Sequence, residues 1–477
     1  MKKSGAFAVK LAVLWSVLAI FPTEALAIPA FARKYRTSCS TCHIAYPVLN
    51  SFGKAFKARG YRVPAEEKLT KDEPVSLGAP AWKQVFPESL WPADMPGGSV
   101  AAFWLSSRYR VNPSAAITNE FDGLHELYVL MGGTVGESLS FFGELEVIDG
   151  GTVPTAFSAA LPRAFFQYNH TSQKFNMTFG LFEPRAVLTS TRIRLMRLSD
   201  YLSNRYGMPP TANAFSLAPH QRGIELWGNA EGPSNKGGVE WFFGVVNGSD
   251  ARPGTTPAGA GAYGYGSFNT RFQTAMNAAG RTNQENNSNK DFYGGVNYKI
   301  GGMGVLGSGS EETLKEAENY VDNSATLGAF YYRGVAPTLV TRAGREALER
   351  DGNTFHRAGA KIDANIGKGN ILAGIQLNRD KIREISRNFD ELITQVEARY
   401  VLYPWLIPAV RFENLNPNFG KAFWRVTAHG SLMVRANIRL SIEGVLSRNS
   451  TTDPLKDFRR FEGGNDRQLH ARLDFAF

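Results

Sequence analysis

The chain has 477 residues, with 53 Lys and Arg against 43 Asp and Glu for a net charge of +10, 48 glycines, 12 % aromatics and two cysteines. That length exceeds a single small domain, and two cysteines exclude both a disulfide-rich scaffold and a zinc site built from cysteines alone. The positive balance is not read as a nucleic-acid signal and no nucleic-acid partner is expected, because the strand pattern described below places most charge on one face of a sheet.

Residues 1–27 read as a signal peptide. Lys2, Lys3 and Lys10 form a basic start, Leu11 to Phe21 an apolar stretch, and Ala25-Leu26-Ala27 a small-residue cleavage signal ahead of Ile28. The apolar stretch falls short of the ~20 residues a membrane-spanning helix needs. An exported chain is expected.

Residues 28–64 carry the chemistry. Cys39-Ser40-Thr41-Cys42-His43 spells C-x-x-C-H with both cysteines of the chain. Two thiols at this spacing attach to the two vinyl groups of a haem, and the adjacent imidazole ligates its iron, so the motif predicts one covalent haem c with His43 as axial ligand. A disulfide between Cys39 and Cys42 would leave His43 without a role, and a zinc site lacks further cysteines. The segment is basic, with Arg33, Lys34, Arg36, Lys54, Lys57, Arg59 and Arg62 and no Asp or Glu between Ile28 and Arg62. These charges are read as a solvated surface, or as partners of haem propionates or of wall carboxylates such as Glu144 and Glu146. Leu49, Phe52 and Phe56 recur at three and four residues, which predicts a helix that covers the haem with Lys54 and Lys57 on its other face. So small a segment buries too little to fold unaided.

Residues 65–98, with Pro74, Pro80, Pro87, Pro92 and Pro96, read as an irregular linker. Met95 is the only methionine between the motif and the first strand and is the candidate second axial ligand. His125 and His470 are the alternatives.

From about Ser99 to the end, apolar and polar residues alternate in segments of about 10 to 13, the length and period of strands that cross a bilayer at a tilt. Leu469, Ala471, Leu473 and Phe475 oppose Gln468, His470, Arg472 and Asp474; Leu139, Phe141, Gly143 and Leu145 oppose Ser140, Phe142, Glu144 and Glu146. Short turns alternate with longer polar loops, the longest being 184–220 and 249–289. The expected fold for 99–477 is an all-β transmembrane barrel of the outer membrane, with 16 strands, or 18 if residues 302–352 contribute more through Met303–Ser310 and Pro337–Arg342. A small helical haem-bearing plug would occupy its lumen or periplasmic end. Glu126, Glu144, Glu146, Glu397, Glu413, Glu443 and Asp474 fall on the lumen face beside Arg163, Arg399, Arg411, Arg439 and Arg472. They would either guide a cation or form a structural charge ladder.

Pro29-Ala30-Phe31-Ala32-Arg33-Lys34, the haem motif, Pro47, Leu49, Phe52-Gly53, Phe56 and Gly60-Tyr61 together resemble the outer-membrane monohaem cytochrome–porin fusions of iron-oxidising bacteria. The resemblance is specific over about 35 residues. It implies oxidation of extracellular Fe(II), one haem c on Cys39 and Cys42 with His43 as axial ligand, and transfer of electrons to a periplasmic copper protein or cytochrome c. A haem-plugged porin for solutes, or an exporter of electrons to an external acceptor, are the competing readings.

Overall fold

The computed structural model describes residues 30–35, 39–63, 101–113, 118–149, 160–197, 200–205, 213, 215, 217, 221–248, 289–309, 319–342, 345–383, 387–419, 422–435, 437–449 and 467–476. The signal segment and the 65–98 linker, and with it Met95, lie outside the described residues.

The N-terminal segment holds α1 (Ala30–Lys34), α2 (Cys39–Cys42), the short antiparallel pair β1 (His43–Ala45) and β2 (Val48–Leu49), and α3 (Ser51–Ala58). The barrel follows as β3 (Ala101–Val111), β4 (Asn119–Val135), β5 (Leu139–Asp149), β6 (Ala160–Asn169), β7 (Asn176–Phe182), β8 (Gln221–Glu231), β9 (Lys236–Val246) and β10 (Asp291–Met303). It continues as β11 (Ser324–Arg342), β12 (Arg345–Ile366), β13 (Gly369–Ile382), β14 (Arg387–Tyr400), β15 (Leu406–Pro417), β16 (Phe423–Arg435), β17 (Ile438–Asn449) and β18 (Arg467–Ala476). Each of these strands pairs antiparallel with its sequence neighbours, and β18 returns to β3 through Leu469↔Val111 to Ala476↔Trp104, closing a 16-stranded barrel.

Closure follows from the alternation. A sheet apolar on one face and polar on the other satisfies its backbone in lipid only when no edge is left. On β18 Leu469 is exposed while His470, Arg472 and Asp474 are buried inside; on β17 Ile442 and Leu446 face out while Arg439, Ser441 and Glu443 face in. Phe166, Phe243, Tyr331, Val396, Val410 and Phe412 continue the outer apolar belt. Among the described residues no helix is long and apolar enough to cross a membrane, so the crossing is made by strands.

The expected 16 strands are formed: Met303 ends β10 and residues 304–309 lie in turns, whereas Pro337–Arg342 extends β11. Two other expectations change. Strand length is less uniform than expected, from 7 residues in β7 to 22 in β12. The stretch after β7 is not an outward loop over its described part: residues 183–197 and 200–205 turn into the lumen.

Tyr201 Oη donates to Glu397 on β14 at 2.6 Å, the Leu202 amide to Glu413 on β15 at 2.8 Å, and Ser203 Oγ to Gln395 at 2.9 Å. Arg197 lies over the Trp104 ring of β3 at 4.0 Å. A short helix, α4 (Leu202–Arg205), ends this inserted stretch.

Candidate functional site

The N-terminal segment sits inside the barrel at the short-turn end, where β3 begins and β18 ends. Lys34 Nζ donates to Thr134 on β4 at 2.8 Å, and Arg62 donates to the Gly136 and Leu139 carbonyls at 2.9 Å each. On β6, Asn169 donates to the Ala58 carbonyl at 2.9 Å; across the lumen Lys54 pairs with Asp363 of β12 at 3.1 Å.

Asn50 organises the motif. Its Oδ1 accepts the Gly53 amide at 2.8 Å and caps α3, while its Nδ2 donates to the Thr41 carbonyl at 2.9 Å. A β-carbon at Gly53 would lie 2.2 Å from the Cys42 carbonyl oxygen, so only glycine lets α3 rest on the C-x-x-C-H turn. The helix occupies Ser51–Ala58, with Phe52 and Phe56 buried as the spacing predicts and Leu49 just ahead of it in β2.

The other residues of the N-terminal pattern make one aromatic cluster. Phe31 stacks on Tyr61 at 4.7 Å, Phe56 meets Tyr35 edge-on at 5.4 Å, and Tyr35 Oη donates to the Tyr61 carbonyl at 2.8 Å. Tyr61 stacks on Phe142 of β5 at 5.9 Å. Phe31 reaches the wall over Gly132, where a β-carbon would come within 2.7 Å of its ring. On the other side His43 lies 5.4 Å from Tyr46, Tyr46 meets Trp104 at 5.5 Å, and Trp104 stacks on Tyr128 at 5.1 Å.

Cys39, Cys42 and His43 thus come together on one cavity of about 410 Å³ between the N-terminal segment and the β3–β6 wall. Its lining is mainly apolar, with Phe31, Leu49, Phe52, Phe56, Trp104 and Phe142. That size lies within the ~300–1,000 Å³ of cofactor pockets. Burial pushes the Cys39 thiol up to about 11 and the Cys42 thiol to about 12, so both are neutral. Burial also holds His43 down to about 4, leaving the neutral imidazole that ligates iron. The His43 ring lies against the Pro47 and Val48 backbones, which favour its charged form but are outweighed by burial.

The cavity does not supply a second axial ligand from the described residues. His125 is held by Asp122 at 2.8 Å and His470 by Gln468 at 3.1 Å, and neither lines the cavity. Met131 lines it from a wall position whose side chain points outward over Gly143, so it is not a ligand either.

Among the described residues, Glu144 and Glu146 are bound by groups of the wall and of the inserted stretch. Glu144 accepts Arg163 Nε at 2.6 Å and lies 3.4 Å from Arg192, and Glu146 accepts Tyr128 Oη at 2.6 Å. The remaining lumen carboxylates are committed in the same way. Glu413 is bound by Arg411 at 3.0 Å and Arg425 at 2.5 Å, Asp474 by Arg439 and Arg472 at 2.8 Å each, and Glu126 by Arg472 at 2.7 Å. Glu443 accepts His429, and Glu397 the Tyr201 hydroxyl. This is a charge ladder that stiffens the wall, and these groups are not open to a passing cation.

A second cavity of about 400 Å³ lies on the far side of α3, lined by charged and polar groups of the β6–β14 wall and of the inserted stretch. The two cavities share Leu49, Lys57, Arg163 and Ile193. Lys57 is half-buried, and desolvation pushes its ammonium down to about 8 against the pull of Glu183. Sequence reasoning missed Tyr46, Trp104, Arg192 and Ile193 as site residues. Arg185, Arg192, Arg194 and Arg197 interleaved with Ile193, Leu195 and Met196 carried the signal, since an exposed loop has no use for buried apolar residues between arginines.

The fold defines the class: a closed 16-stranded antiparallel barrel with an apolar outer belt, its lumen occupied by its own N-terminal segment and an inserted stretch. Among solved structures, the chain is similar to OmpF of Salmonella typhi in complex with daunomycin, with 11 % identity, 79 % of this chain and 97 % of that one covered, and a TM-score of 0.49. It is also similar to the anion-selective porin from Comamonas acidovorans, with 13 % identity, 79 % and 98 % covered and a TM-score of 0.48. A third is the outer membrane channel DcaP of Acinetobacter baumannii, with 11 % identity, 79 % and 96 % covered and a TM-score of 0.44. No protein-family model and no curated protein matches the sequence.

Proposed function

We propose that this barrel holds one covalent haem c in its lumen and transfers electrons from extracellular Fe(II) to a periplasmic copper protein or cytochrome c. The observation that carries the reading is the convergence of Cys39, Cys42 and a neutral His43 on a mainly apolar 410 Å³ cavity inside the barrel. The donor set fits a haem. Each thiol adds across one vinyl group, its proton going to the other vinyl carbon, with no change of oxidation state. The imidazole is already in the form that binds iron.

When bound, the haem supplies a one-electron couple. The chain's residues do the rest. Asn50 and Gly53 fix the motif against α3, the Phe31–Phe56–Tyr61 cluster excludes water, and Arg62, Lys34 and Lys54 anchor the segment to opposite walls. The inserted stretch 183–205 brings Arg192 and Ile193 onto the cavity and ties itself to β14 and β15, so a hydrated ion from outside is kept off the cavity while an electron is not. The net reaction oxidises one Fe(II) to Fe(III) outside and reduces the periplasmic carrier by one electron. A hydrocarbon layer ~30 Å thick is a poor conductor, so a redox centre within the lumen shortens both transfers.

A second reading, a porin for small solutes, rests on the porin-type barrel and on the polar cavity beside α3. Proteoliposomes separate the two. With Fe(II) outside and a carrier inside, the electron-transfer reading predicts rapid appearance of the reduced haem spectrum and negligible solute efflux. Solute efflux with an oxidised haem would establish the porin, and reduction only from the carrier side would reverse the direction.

A further inference from the structure

Resting on the haem reading, we propose that Lys57, with Arg163 and Arg192, holds the carboxylate edge of the haem at the seam between the two lumen cavities. A haem is an apolar ring with two propionates on one edge, so its pocket must be apolar on most sides and cationic on one. The 410 Å³ cavity has that asymmetry. Phe31, Phe52, Phe56 and Trp104 line its apolar part, and its charged groups are Lys57, Arg163, Arg192 and Glu144.

Three cations against one carboxylate leave an excess of two positive charges, the complement of two propionates. Arg163 and Arg192 both lean on Glu144, by 2.6 and 3.4 Å contacts. Lys57 is half-buried between the two cavities and makes no ion pair among the described residues, with Glu183 and Glu240 acting on it only at longer range. A partly desolvated ammonium facing the cavity is a ready partner for an anion brought with the cofactor. Lys57 and Arg163 also line the second cavity, so the same edge meets the charged groups on its side of the seam.

Spectroelectrochemistry of the purified full-length protein tests this. A cation beside the haem favours the reduced iron, so Lys57→Gln is expected to keep its covalent haem while the midpoint potential shifts downward. Lys57→Arg is expected to restore the potential and to shift the propionate bending modes in resonance Raman spectra. Arg379→Gln, which removes an exposed partner of Asp390 on the barrel wall, serves as the control and leaves the potential in place. Wild-type protein without covalent haem would refute the haem reading itself. A haem-loaded Lys57→Gln with wild-type potential, or a haem-loaded Lys57→Arg with unchanged propionate modes should the glutamine variant fail to fold, would refute the propionate contact alone.

Discussion

At the scale of single residues, the motif was legible because covalent attachment fixes its spacing: Cys39, Cys42 and His43 need no knowledge of the fold. Their surroundings were not legible, because Trp104, Arg192 and Ile193 reach the cavity only through barrel closure and the inward course of the inserted stretch. The lumen partners expected for the basic segment, Glu144 and Glu146, were on the right face. They are taken by Arg163 and Tyr128, which sit on neighbouring strands in register with them. Two predictions belong here. Cys42→Ala or His43→Ala should abolish normal haem incorporation while the barrel still assembles, read by haem-stained gels beside heat-modifiable mobility. Gly53→Val should place its side chain on the Cys42 carbonyl and destabilise the segment by about 1–3 kcal/mol, read as faster proteolysis of the N-terminal segment at unchanged barrel mobility.

At the scale of elements, period-two alternation revealed the strands and which residues face the lumen, since one face meets lipid and the other does not. It did not reveal where residues 183–205 go: polarity alone does not separate a loop in water from a stretch in a polar lumen. The wall ladder is the energetic counterpart of that stretch. Glu413 takes hydrogen bonds from Arg425 and from the Leu202 amide, and lies against Arg411. Glu413→Gln leaves buried guanidinium groups under-compensated and should cost about 3–5 kcal/mol, seen as a lower unfolding temperature in detergent. Glu120→Gln, at the exposed pair with Arg110, is the comparison and should cost less than ~1 kcal/mol.

At the scale of the whole molecule, a 16-stranded barrel has its lumen occupied by its own chain. The outer belt still behaves as a lipid-facing surface, so Ile442→Arg should cost about 2–4 kcal/mol near the midplane and reduce assembly into membranes. That measurement concerns the barrel alone. The proposed electron path turns on whether Cys39 and Cys42 carry a haem in the lumen cavity. The direct measurement is the intact mass and visible spectrum of the protein extracted from outer membranes. The expected result is a mass increment of one haem that survives denaturation, with a reducible c-type spectrum. Unmodified thiols, or a Cys39–Cys42 disulfide with no haem absorption, would contradict it.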